Sequence, residues 1–124
     1  MRIFVTGISL LTSVLLALGE EQGIAVDRVV VYKHERRLLL LSQGKELKSY
    51  RVALGGEPTG AKTRKGDHRT PESAYALDSR NPNSHFNKAF HISYPSYPSP
   101  KDITAAKKLG VSPGGDIMLH GLPN

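Results

Sequence analysis

The chain has 124 residues, of which 39% are apolar and 23% charged, with a formal net charge of +6 and no cysteine. That length carries one small domain at most. The cysteine count excludes a disulfide framework, a Cys-ligated zinc site and a thiol nucleophile within these residues. The basic balance permits an acidic partner and equally describes a merely soluble surface.

The first nineteen residues read as a leader rather than as part of a fold. Met1-Arg2 supplies a positive start, and Ile3 to Leu18 carries no charge, with leucine and valine packed closely from Leu10 to Leu18. Ala17 and Gly19 then place small residues before Glu20, the pattern of a secretory signal peptide spanning residues 1–19. An uncleaved anchor is the alternative, although the run is short of the roughly 20 apolar residues of a comfortable span. A buried core helix is disfavoured, because Glu20, Glu21 and Gly23 end the run with no amphipathic face.

From Val26 onward the pattern is short strands and turns. Val29 to Tyr32 and Leu38 to Leu41 flank the charged stretch His34-Glu35-Arg36-Arg37 and predict a hairpin. Gln43-Gly44-Lys45 predicts a turn. Lys48, Tyr50, Val52 and Leu54 alternate with smaller or polar residues, as in a half-buried strand. Gly55-Gly56 stops it. Glu57 to Arg69 reads as a basic, turn-rich loop too polar to pack. Thr70-Pro71-Glu72 restarts regular structure, with a strand over Ala74 to Leu77.

Asn81-Pro82-Asn83-Ser84 predicts a loop, since a residue before proline avoids the helical region and Asn favours turns. Ala89 to Ser93 predicts a strand, and Pro95, Pro98 and Pro100 then exclude a central strand. One helix is predicted from Pro100 to Leu109, with Ser99 as N-cap, Asp102 in the first turn, Lys107 and Lys108 in the last, and Gly110 as the stop. Ile103, Ala106 and Leu109 form its apolar side. Asp116 to His120 predicts a final strand after the turn Pro113-Gly114-Gly115.

Five histidines raise the question of a metal, but His34, His68, His85, His91 and His120 form no HExxH and no pairing with carboxylates at ligand spacing, so neither a metal nor an organic cofactor is expected. His34, His68 and His85 lie in polar turns or loops, and His91 alternates with Phe90 and Ile92 on a strand as structural histidines do. His120 differs. It ends an apolar strand and is followed by Gly121, where a side chain can face a cleft while the backbone turns closely beneath it.

The run Val111-Ser112-Pro113-Gly114-Gly115-Asp116-Ile117-Met118-Leu119-His120-Gly121-Leu122-Pro123-Asn124 resembles the segment leading into the active site of the L,D-transpeptidase (YkuD-type) catalytic domain. Gly66-Asp67-His68-Arg69-Thr70-Pro71-Glu72 is similar to that family's Thr-Pro step before a strand, with Ser73 where glycine is expected. Asp78 to Ser84, followed by His91-Ile92-Ser93-Tyr94-Pro95, is similar to the branch with a long loop before the catalytic strand. The resemblance covers Val26 to Asn124.

The resemblance implies a mainly β fold, a mixed sheet or sandwich with one short helix, in a partial catalytic domain at residues 26–124. It implies a cysteine enzyme of the cell wall, in which a histidine-activated thiol attacks a peptidoglycan stem peptide, releases the terminal D-amino acid and passes the acyl group to an amine. Water in place of the amine would make the same scheme a hydrolysis. By match to the His-Gly step, His120 is the activating histidine, and the Gly121 carbonyl orients its ring. The family's nucleophile follows this histidine in a turn ending Gly-Cys, whereas this sequence stops four residues after His120. Ser112 cannot substitute, being across a turn at the far end of a strand from His120. The expectation is a domain cut just after the His-Gly step, inactive alone, with its last strand left uncovered.

The expected partners are peptidoglycan stem peptides, in the periplasm or cell envelope, with no stable membrane span after leader cleavage. A non-catalytic fragment that binds stem carboxylates through Lys62, Arg64, Lys65 and Arg69 is a second reading. Nucleic acid is not expected as a partner, because Tyr94 and Tyr97 fall in a Pro-rich loop instead of on a strand face where bases could stack.

Overall fold

The structure, a computed structural model, describes residues 2–6, 23–96 and 101–122. It is mainly β, with seven strands and one helix among the described residues: β1 (Arg2–Thr6), β2 (Arg28–Tyr32), β3 (Arg37–Ser42), β4 (Lys45–Arg51), β5 (Ala74–Ser84), β6 (Asn87–Ile92), α1 (Lys101–Lys108) and β7 (Met118–His120). The strand order is β4-β3-β2-β1-β5-β6-β7. Two antiparallel three-stranded units, β2-β3-β4 and β5-β6-β7, are joined through β1, which runs antiparallel to β2 and parallel to β5.

The predicted β2–β3 hairpin forms with Val29 opposite Leu40 and Val31 opposite Leu38. Arg36 takes a positive φ of 50° in its turn. The β3–β4 connection is the two-residue Gln43-Gly44, both at positive φ, which matches the right-handed twist of the flanking strands. The Gln43 N–H is anchored by donating to the Asp27 carboxylate at 2.7 Å.

Val29, Leu38, Tyr75 and Tyr94 are the buried centre of the core, with Val31, Leu40, Val52, Leu77, Ile92, Ile117 and Leu119 packed around them. The two tyrosine rings meet edge to face at 5.9 Å. Each buried hydroxyl finds an acceptor, as a buried tyrosine requires. Tyr75 donates to Asp102 at 3.0 Å, fastening α1, and Tyr94 donates to the Pro113 carbonyl at 2.8 Å, fastening the approach to β7. Burial pushes the Tyr94 hydroxyl up to about 12, helped by the negative charges of Asp102 and Asp67. Tyr75 is raised further, by burial first and then by its bond to Asp102.

Several expectations are corrected. The Asn81-Pro82-Asn83-Ser84 stretch is the end of β5 and not a loop, paired to Asn87 and Ala89 across an irregular register that spares Pro82 a ladder bond. β4 is an exposed edge strand: Tyr50 is 45% exposed, and of the expected apolar face Val52 reaches the core. Its lysines suit an edge that must not pair with another chain. The predicted final strand starts at Met118 instead of Asp116, because Asp116 sits at φ 53° and cannot extend the pleat. In α1 the face turned inward is Asp102–Ala106, one helical turn apart. Ala106 is fully buried, whereas Ile103 and Leu109 are exposed, since the Asp102–Tyr75 bond sets the helix rotation. The helix ends as expected at Gly110, φ 67°, with the Val111 N–H on the Ala106 carbonyl and the Gly110 N–H on that of Lys107. Ser99 and Pro100, the expected N-cap and first turn, lie outside the described residues.

The 57–69 loop also differs from the expectation of a solvated segment. Asp67 accepts from Lys62 Nζ at 2.8 Å and from the backbone N–H groups of Thr63, Arg64 and Arg69. Burial alone would raise this carboxyl; Lys62 and the three N–H groups instead hold it well below the usual carboxylate range. Lys33 is buried in the same way, giving its three protons to Glu72, the Gly60 carbonyl and the Thr70 carbonyl. The ordered loop supports the segment before β7: the Lys65 N–H donates to the Ser112 carbonyl at 2.7 Å, and Gly114 packs where a Cβ would lie 3.2 Å from Lys62 Cε and Lys65 Cα.

Arg2–Thr6, which falls within the predicted leader, pairs within the sheet. Residues 7–22, which hold most of the predicted leader, lie outside the described residues.

Candidate active site

β7 is short and lies at the sheet edge, with Ala89 opposite His120, Phe90 opposite Leu119 and His91 opposite Met118. Leu119 turns into the core, so by alternation Met118 and His120 point to the opposite face. His120 is exposed there. Its Nδ1 lies 2.8 Å from the carbonyl oxygen of Gly121. A carbonyl can only accept, so this contact places a proton on Nδ1, and in the neutral ring Nε2 is then the acceptor.

Two features hold that arrangement. The tip of the β5–β6 hairpin carries Phe86, whose ring lies over the His120 imidazole with centroids 4.3 Å apart and planes tilted by 40°. The chain then passes close under the tip: the Gly121 N–H donates to the Lys88 carbonyl at 3.3 Å, and a Cβ at Gly121 would stand 3.1 Å from the Phe86 carbonyl oxygen. A side chain at 121 would fit only if the Phe86 carbonyl gave way by a few tenths of an ångström. Phe86 itself is 41% exposed, and its turn is tied by the Phe86 N–H donating to Ser84 Oγ.

The other histidines separate clearly. His34, His68 and His85 are exposed. His91 is held by Asp78, Nδ1 to Oδ1 at 2.5 Å. Among the described residues no group of three or more His, Asp or Glu side chains is placed to hold a metal ion. Ser112 stays with the turn before β7, its Oγ accepting the Gly114 N–H at 3.3 Å. Of the four basic residues suggested to bind stem carboxylates, Lys62 is buried and engaged by Asp67, so it is not available to a ligand. Arg64 and Arg69 line a groove with Glu57, Leu109 and Val111.

Sequence reasoning did not single out Phe86 or the Asp78–His91 pair. Phe86 meets His120 only because the hairpin register folds its tip onto β7, and Asp78 meets His91 only because of an irregularity in β5. Neither leaves a spacing signal.

Residues 26–124 match the family model of the L,D-transpeptidase catalytic domain, YkuD. The chain belongs to the L,D-transpeptidase catalytic domain family. No curated protein and no solved structure matches it. The L,D-transpeptidase match takes in every element from β2 to β7 and leaves β1 outside. The family is one of acyltransferases, and the His120-Gly121 step lies inside the matched span.

Proposed function

We propose that this L,D-transpeptidase domain takes part in acyl transfer on peptidoglycan stem peptides by a Cys/His mechanism, with His120 as the base. The observation that carries the reading is the 2.8 Å contact from His120 Nδ1 to the Gly121 carbonyl. It fixes the tautomer whose Nε2 can take a thiol proton, and Phe86 restrains the ring in that orientation. A thiol with an ordinary pKa near ~8.5 is largely protonated at neutral pH, so an adjacent base raises its nucleophilicity.

In this scheme the thiol gives its proton to His120 Nε2, and its sulfur bonds to the stem-peptide carbonyl carbon. The carbon–nitrogen bond to the terminal D-amino acid breaks, and that nitrogen leaves with the proton from His120. An acceptor amine then attacks the thioester, its proton passes through His120 to the sulfur, and the thiol is restored. The 124 residues include no cysteine, so the thiol is supplied from outside them and this stretch alone performs no transfer. The predicted leader supports action in the cell envelope.

The test begins with the reading frame past the Asn124 codon. A form extended through an encoded Gly-Cys turn is expected to release D-amino acid from a tetrapeptide stem, and the 124-residue form is not. His120→Gln in the extended form is expected to lower the rate by about 10²-fold or more. Absence of any such cysteine, or full activity in His120→Gln, would sink the proposal.

A further inference from the structure

A groove of about 570 Å³ is lined by the 57–69 loop and by the residues that end α1. The loop supplies its polar lining. Asp67 accepts the Thr63, Arg64 and Arg69 N–H groups and the Lys62 ammonium, so its charge is neutralised and the backbone on both sides turns toward it. The side chains of Arg64 and Arg69 stay out of that knot. Both residues are exposed, and neither guanidinium has a hydrogen bond or ion pair among the described residues. Arg69 lies along Gly60, where an added Cβ would stand 3.4 Å from a guanidinium nitrogen. Leu109 and Val111 supply the apolar lining. The Val111 N–H closes the helix end on the Ala106 carbonyl, and Leu109 is left 67% exposed.

The fold does not account for this combination. Leu109 is not among the residues packed on the core, and the two guanidinium groups beside it carry like charge. Exposed Lys108 precedes Leu109, and Gly66 also lines an adjoining hollow that carries exposed Lys65. An apolar side chain held out among cations matches the boundary between anionic headgroups and acyl chains. A soluble carboxylate or phosphate would satisfy the arginines and leave Leu109 in water. A second copy of a chain of net charge +6 would bring like charge to the groove. Glu57, the other acid in the lining, is exposed and has no side-chain partner among the described residues, which suits it to accept from a headgroup hydroxyl.

We propose that this groove docks an anionic phospholipid, with Arg64 and Arg69 donating to the phosphate oxygens, Glu57 accepting from a headgroup hydroxyl, and Leu109 and Val111 meeting the glycerol end of the acyl chains. The contact holds the folded domain against a membrane face without spanning it. The predicted leader would bring the domain beside such a surface. The groove includes neither His120 nor Gly121, and the inference goes beyond the acyl-transfer reading without depending on it.

The test uses the ¹⁵N-labelled 124-residue chain and dihexanoyl-phosphatidylglycerol below the concentration at which it forms micelles, so that binding is read at the groove and not at the apolar leader. Dihexanoyl-phosphatidylcholine, which has no net charge, and glycerophosphoglycerol, which has no acyl chains, are the controls. Saturable amide shifts at Arg64 to Arg69 and Leu109 to Val111 are expected with phosphatidylglycerol, and roughly tenfold weaker binding with either control. Arg69→Gln is expected to weaken binding about tenfold, the scale of one charge-assisted hydrogen bond. Lys48→Gln on β4, which removes the same charge, should leave the affinity unchanged. Leu109→Ser should abolish the preference for phosphatidylglycerol over glycerophosphoglycerol. Dispersed amide spectra establish that the variants fold. Equal affinity for phosphatidylcholine would show a merely apolar groove, and equal affinity for glycerophosphoglycerol a site for soluble phosphodiesters. Equal losses in Arg69→Gln and Lys48→Gln would show a diffuse attraction to net charge. Each of these results, or the absence of shifts at the groove, overturns the proposal.

Discussion

His120 owes its prominence to two neighbours of different visibility. Gly121 is legible in the sequence, because an apolar strand ending His-Gly marks a side chain at an edge over a tight backbone turn. Phe86 is not, since its contact with the imidazole depends on how a hairpin thirty-odd residues earlier folds onto β7. Gly121→Ala tests both at once: its Cβ would press on the Phe86 carbonyl, so the Phe86–His120 contact should loosen. Histidine ring shifts should move toward those of an unstacked imidazole, and unchanged shifts would show that the tip does not restrain the ring. Asp67 gives a second test at this scale. Its carboxyl is held below the usual 3.8, so the stability it contributes is present above that value and lost as pH falls through its folded pKa. Asp67→Ala should cost about 3 kcal/mol near neutral pH, because it strands the buried Lys62 ammonium. The variant should also show a flatter acid limb in urea titrations. An unchanged midpoint would mean that the loop is held by other contacts.

Among the elements, the strands legible in advance are those whose apolar residues face one core, β2 and β3 above all. The errors fall where a register or a polar contact decides the outcome. The bulge that places Asp78 leaves no mark on composition, and Asn81-Pro82 reads locally as a turn although it closes a long strand. The rotation of α1 departs from its apolar spacing for a related reason: Ile103, Ala106 and Leu109 suggest one apolar face, while the Asp102–Tyr75 hydrogen bond turns the helix toward Asp102 and Ala106. Tyr75→Phe should therefore cost about 1 kcal/mol and increase amide exchange in α1 more than in β2; equal effects in both would contradict a local clamp. Tyr75 and Tyr94 are both raised above the ordinary tyrosine value, Tyr94 to about 12. The stability linked to them is complete below pH ~10 and declines as pH rises through their folded values. At pH 11 the folded chain should hold Tyr75 and Tyr94 largely protonated, so that Tyr75→Phe and Tyr94→Phe remove little tyrosinate absorbance there.

At the scale of the molecule, the sheet depends on β1, the strand between the β2–β4 and β5–β7 units. This strand lies within the predicted leader and outside the span matched to the family. A cut after Gly19 would remove it and leave facing edges on β2 and β5, so the leader-bearing and shortened chains should differ measurably. The form starting at Glu20 is expected to show a lower urea midpoint and faster exchange of β2 amides than residues 1–124. Equal midpoints would mean that β1 adds nothing to the folded state. Both forms keep the β6–β7 edge and the His120–Gly121 step, so the central claim can be measured on the 124-residue chain itself, with no thiol present. Nitrogen-15 NMR of the His120 imidazole at a pH where it is neutral should find the proton on Nδ1 and a bare Nε2. A proton on Nε2 would contradict the account, because the nitrogen meant to receive the thiol proton would already be occupied.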